Sequence, residues 1–176
     1  MKKLFTMALL ASGLMASVHV NAQTEEDKSK RPSPPAKVTQ KINSGATISI
    51  DYSQPSVKGR TIGKDLEPMD GKVWRTGANE ATVFETDKDL TIAGKKLPAG
   101  KYGLFTLFKG DTVTVIFNKT WQQWGAFKYN GADDVLRINT KYSKASPESE
   151  KMTFTITPGG VVTLLWGNRK FNFKVH

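Results

Sequence analysis

The chain has 176 residues, with 26 Lys and Arg against 16 Asp and Glu for a net charge of +10, two histidines and no cysteine. Lack of cysteine excludes disulfides, a thiol nucleophile and a lipid-anchored terminal cysteine. The histidines are His19 and His176, the last residue, so no internal imidazole remains for a Ser-His-Asp triad or a His-rich metal site once the N-terminal segment described next is set aside.

Lys2 and Lys3 precede an uncharged run from Leu4 to Val20, and Val20-Asn21-Ala22 offers small residues for a peptidase. This pattern predicts a cleaved signal peptide over 1–22, a mature chain from Gln23, and a periplasmic or secreted product that is not a lipoprotein. The run is short for a membrane span and has no basic flank behind it, so no transmembrane segment is expected after cleavage. Removing Lys2 and Lys3 leaves a charge of +8. Outside the cytoplasm that excess favours an anionic envelope component, such as a glycan or lipid head groups, and not nucleic acid as the partner. The lysines are scattered, so a solvated surface of mixed sign accounts for them equally well.

Residues 23–40 open with QTEEDKSKRPSPPAK, rich in charge and proline without apolar periodicity, and read as a flexible or extended leader. From 41 to 176 one domain is expected, with short runs separated by Gly, Pro, Asn and Asp. ATISIDY (46–52) alternates Ile48, Ile50 and Tyr52 against polar partners, and ATVFET (81–86) is a second strand. Residues 90–108 read as strand, a bend at Pro98 and Gly100, and strand. KGD (109–111) closes a hairpin onto TVTVIF (112–117), whose Val113, Val115 and Phe117 share a face. DVLRINTKY (134–142) follows a Trp-rich connection. MTFTIT (152–157), VVTLLW (161–166) and KFNFKV (170–175) form the last three strands, joined by turns at Pro158-Gly159-Gly160 and Gly167-Asn168. Eight to ten strands without a helical stretch predict an all-β fold, an antiparallel two-sheet β-sandwich with jelly-roll or Ig-like topology both open, or a flattened barrel. Trp166 ends an apolar strand and belongs to the core.

Two stretches stand out for chemistry. VWRTGANEATVFET (73–86) sets Arg75, Asn79 and Glu80 among residues that otherwise read as buried strand. Charges there must be paired, hydrated or occupied by a ligand, since desolvating each alone costs several kcal/mol. A bulge at Gly77 would bring Arg75 and Glu80 together, with Asp51 and Arg60 completing a network. A satisfied cluster that pins strand register is the structural alternative. TWQQWGAFKYNG (120–131) carries Trp121, Trp124, Phe127 and Tyr129 in a connection, an arrangement suited to stacking on sugar rings or inserting into partner pockets, with Gln122 and Gln123 as hydrogen-bonding groups. Aromatics that merely close one end of the sandwich are the alternative. Asp87-Lys88-Asp89 and Asp133-Asp134 lack the spacing of a calcium loop, and no Gly-rich phosphate loop opens a helix, so no metal site and no cofactor are expected.

RPSPPA (31–36), IDYSQPSVKGR (50–60), GKVWRTGANEAT (71–82), KKLPAGKYGLFT (95–106), TVIFNKTWQQWGAFKY (114–129) and DVLRI (134–138) resemble, in order, the blocks of a secreted bacterial family, domain of unknown function 2911. The resemblance implies one exported domain with Arg75, Asn79 and Glu80 in its defining part, and brings no activity, cofactor or catalytic residue. The residues themselves favour a non-catalytic module binding an envelope component such as a glycan. The alternative is a small hydrolase working with carboxylates alone, Glu80 with Asp51 or Asp70.

Overall fold

The computed structural model describes residues 27–176; the predicted signal peptide and the first residues of the leader lie outside the described residues. Ten strands follow in order: β1 (Pro35–Lys41), β2 (Thr47–Ser53), β3 (Val73–Trp74), β4 (Val83–Thr86), β5 (Leu90–Ile92), β6 (Lys95–Leu97), β7 (Gly100–Lys109), β8 (Thr112–Asn118), β9 (Asp134–Ile156) and β10 (Val161–Lys174). The fold is all-β. Among the described residues only two single 3-10 turns, Lys28–Lys30 and Gly131–Asp133, depart from strand and loop.

One antiparallel sheet runs β1-β2-β4-β7-β8-β9-β10, with β3 added to β7, while β5 and β6 form a separate hairpin. The two stacked sheets expected from the alternating pattern are therefore replaced by one sheet that curls into a half-barrel. Curling is visible where the far part of β9 returns to the chain leaving β2. Val57 N–H donates to Glu150 O at 2.8 Å and Met152 N–H to Pro55 O at 3.0 Å. The Tyr52 hydroxyl accepts from Phe154 N–H at 3.3 Å, and their rings meet edge to face at 5.0 Å. Alternation alone cannot tell the two architectures apart, because both bury every second residue.

The concave face holds the main core, in which Ile48, Ile50, Phe84, Val115 and Phe117 are fully buried. Each such side chain contributes about 1.5–3 kcal/mol by leaving water. The β5-β6 hairpin covers one end of this core with Leu90, Ile92 and Leu97. A smaller cluster lies on the other face, where Ala81, Phe105 and Ile116 are covered by Ala126 and Tyr129 from the connection after β8. Phe105 and Ile116 are cross-strand partners, and the Phe105 and Tyr129 rings are 5.1 Å apart.

One predicted feature is specified further and another is corrected. The second half of the leader, read as flexible or extended, is an extended strand: Pro35 to Lys41 pair residue for residue with Ser53 to Thr47, with Ala36, Val38 and Gln40 half-buried and their neighbours exposed. Its proline stands at the start of an edge strand, where a missing N–H is tolerated. Gly167-Asn168 is not a hairpin turn. β10 runs through it, with register shifts against β9 on both sides of Gly167. Gly167 takes a φ of +54°, and the Ile62 side chain occupies the space a Cβ would need. Glycine here allows a bulge that bends a long strand.

Candidate functional site

Between β3 and β4 the chain leaves the sheet in a tight loop. Thr76 and Asn79 both adopt a φ of +54°, which interrupts the strand parity expected for this stretch. The loop is pinned from within: Trp74 Nε1–H donates to Gly77 O at 3.0 Å, and the Thr82 hydroxyl donates to Thr76 O at 2.8 Å. Gly77 is required by proximity, since a Cβ there would stand 2.9 Å from Thr82 Oγ1 and 3.2 Å from Ser53 O. Arg75 and Glu80 consequently leave the loop toward different surroundings. They do not meet.

Glu80 meets the Trp-rich connection and the leader. Its backbone bridges to Trp124, flanked by Ala81 N–H donating to Gln123 O and Gly125 N–H to Asn79 O, both at 2.9 Å. The two stretches singled out in the sequence are thus neighbours. Arg31 Nη1 donates to both Glu80 oxygens at 3.0 and 2.9 Å, and Lys28 Nζ stands 3.1 Å from Oε1. The same Arg31 guanidinium lies over the Trp124 ring, 5.6 Å from its centre. Asn79 Nδ2 donates to Ser33 O at 3.0 Å, so its amide fastens the leader. Partial burial raises the Glu80 carboxyl, but its own backbone N–H, Arg31 and Lys28 outweigh that and hold it at about 2.

A groove of ≈190 Å³ opens beside this cluster, with Lys28, Asp51 and Glu80 as its charged wall. Asp51 pairs with Lys37 across β1 and β2 at 3.0 Å. Trp124 is 52% exposed and Phe127 84%, although Ala126 and Tyr129 of the same connection are packed down on the sheet. Trp121 is half-buried with Lys101 Nζ over its ring at 5.6 Å. Gln123, expected to offer hydrogen bonds outward, is buried, its Nε2 donating to Thr120 O and its Oε1 accepting from Lys128 N–H.

Arg75 and Arg60 belong to a second hollow, on the side of the loop facing Trp166. Burial pulls the Arg75 guanidinium below its ordinary value, opposed by the charge of Glu67. The predicted constellation therefore splits, with Glu80 and Asp51 lining one groove, Asn79 and Trp124 next to Glu80 outside its lining, and Arg75 with Arg60 lining another. Among the described residues there is no group of three or more His, Cys, Asp or Glu placed to hold a metal ion. No helix among them is long and apolar enough to cross a membrane.

A family model described as a protein of unknown function, DUF2911, matches residues 33–175. The chain belongs to this family. The DUF2911 segment spans the whole sheet, the 75–82 loop and the Trp-rich connection, and begins at Ser33, whose carbonyl receives Asn79. Lys28 and Arg31, which neutralise Glu80, precede it. No curated protein and no solved structure matches the chain. Sequence reasoning missed Lys28 and Arg31 as site residues. The signal for Arg31 was its place in RPSPPA, a defined block inside a stretch otherwise read as featureless.

Proposed function

We propose that the protein is an exported, non-catalytic module that binds an anionic envelope glycan along the groove lined by Asp51 and Glu80 and on the neighbouring Trp124. The observation that carries this reading is the pair of exposed aromatics, Trp124 and Phe127, held out from a connection that is otherwise anchored, beside a groove walled by Lys28, Asp51 and Glu80. An indole face stacks on a sugar ring, and fixed carboxylates accept from its hydroxyls. Holding Trp124 in place through Arg31 and the backbone bridge to Glu80 lowers the ordering cost of binding. The charge of +8 that remains after removal of Lys2 and Lys3 suits an anionic chain. Export rests on the signal-like segment at 1–22.

Binding is favoured over carboxylate-driven hydrolysis because Glu80, held ionised to about pH 2 by its two cationic partners, is suited to accept hydrogen bonds and poorly suited to deliver a proton near neutrality. The test is co-sedimentation of the purified protein with insoluble envelope polysaccharide. Wild type is expected to pellet with it, and Trp124→Ala and Phe127→Ala to remain in solution. Failure of the wild type to bind any envelope fraction overturns the reading.

A further inference from the structure

The second hollow carries its own chemistry. Arg75 Nε is buried without a hydrogen-bond partner, and the guanidinium makes no hydrogen bond or ion pair with any described residue. A partly desolvated cation left in this state is unusual for a satisfied structural cluster, because buried polar groups are nearly always hydrogen-bonded. Arg60 stands at the rim of the same hollow. Its Nε donates to Val57 O at 3.1 Å and its Nη2 to Ser56 O at 2.8 Å, which fixes the plane of its guanidinium.

The remaining walls mix apolar groups with polar ones, Ser33 and Glu67 among the latter. Trp74 and Trp166 both line the hollow, but their indole N–H groups are engaged elsewhere, with Gly77 O at 3.0 Å and Glu67 O at 2.8 Å. An occupant therefore meets their carbon frames and those of Pro55 and Leu66, and finds its charged donors in the arginines. Glu67 also lines the hollow. Its Oε2 accepts from Met69 N–H at 2.6 Å and forms no ion pair with Arg75. Two guanidiniums and one carboxylate leave a single positive charge, which complements a monoanion better than a dianion. The space, ≈200 Å³, admits a group the size of one amino acid.

We propose that the hollow between Arg60 and Arg75 binds a carboxylate carried on an apolar body. Guanidinium matches a planar carboxylate in a two-pronged geometry, and the indole walls take the apolar part. The site is separate from the Glu80 groove and does not rest on the glycan reading.

The test follows the indole N–H resonances of Trp74 and Trp166 in ¹⁵N-labelled protein during titration with benzoate, benzamide, inorganic phosphate, a tripeptide ending in a free Phe carboxylate, and its C-terminal amide. Saturable shifts with benzoate or the free-carboxylate peptide, at least tenfold tighter than with the matching amide or with phosphate, are expected. Which of the two carboxylates binds tells a small acid from a peptide C-terminus. Arg75→Gln is expected to weaken binding at least tenfold. Should that variant fail to fold, the exposed Arg60→Gln is expected to weaken it several-fold. Shifts with neither carboxylate, equal shifts with the amides, phosphate binding as tightly, or unchanged affinity in Arg60→Gln would overturn the proposal.

Discussion

Replacing Glu80 by Gln separates the leader's anchoring from the stability of the sheet. The Arg31 side chain is only 11% exposed while Glu80 is 40% exposed, so the substitution takes a carboxylate from a nearly buried guanidinium at a site that water still reaches. A hydrogen bond to a charged group contributes about 1.5–3 kcal/mol, and an exposed pair such as Lys28–Glu80 about 0–1 kcal/mol. Solvent screening at a carboxylate this open brings the sum to the lower end, and Gln keeps one acceptor oxygen, leaving a loss of about 1–2 kcal/mol. Among the described residues, 27–33 precede β1 and make no backbone–backbone bond to the sheet, whose pairing begins where Gln54 N–H donates to Pro34 O at 2.8 Å. The loss should therefore appear as local opening, with tryptic cleavage after Lys28 and Lys30 accelerated about 5–30-fold while the urea midpoint of the whole domain barely moves. Raising salt should accelerate the wild type toward the variant through the exposed Lys28 pair. Equal cleavage rates in wild type and Glu80→Gln would refute the idea that Glu80 holds the leader.

The same anchor has a defined pH response. Because the folded-state carboxyl lies at about 2, below its ordinary 4.5, its contribution is complete above about pH 4.5 and is lost as pH falls toward 2, so leader cleavage by an acid-stable protease should rise only in that window and be flat from pH 5 to 8. Phe105→Ala should destabilise the domain by about 3–5 kcal/mol in urea titration, since Phe105 is fully buried in the small cluster that anchors the Trp-rich connection. Phe127→Ala removes a side chain that is 84% exposed and should change stability by less than about 0.5 kcal/mol while abolishing co-sedimentation with envelope polysaccharide. Gly125→Ala should destabilise by about 1–2 kcal/mol in the same urea assay, because the position has a φ of +61° and a Cβ there would stand 3.2 Å from the Phe127 ring.

Much of the sheet is legible in the chain because alternation reports burial directly. Ile48, Ile50 and Tyr52, then Val113, Val115 and Phe117, then Met152, Phe154 and Ile156 all face the core as their spacing predicts. Trp166 is buried as its strand implies. Turn chemistry is less decisive: Gly167-Asn168 has the composition of a hairpin turn, yet Ile62, over a hundred residues earlier, packs on Gly167 and keeps the strand continuous. Architecture is less legible still, since whether strands belong to one curled sheet or two depends on contacts such as Tyr52 with Phe154 that no local pattern encodes.

The candidate site shows the same division. Arg75, Asn79 and Glu80 are conspicuous because ionic side chains interrupt an apolar stretch, but their partners follow from two positive φ values and from a leader that composition marks as flexible or extended. A bulge at Gly77 would set Glu80 beside Arg75; Glu80 instead pairs with Lys28 and Arg31. Trp124 is exposed as a stacking residue requires, whereas Trp121 is half-covered and Gln123 is buried and internally bonded. Proline and charge density conceal a strand at Pro35–Lys41 because an edge position needs only one half-buried face.

The most direct measurement is a titration of ¹⁵N-labelled protein with solubilised anionic envelope polysaccharide, following the Trp124 indole N–H and the Glu80 and Phe127 backbone amides. Saturable shifts confined to these three signals and their neighbours are predicted. No shifts at all, or shifts centred away from Trp124, would contradict the account.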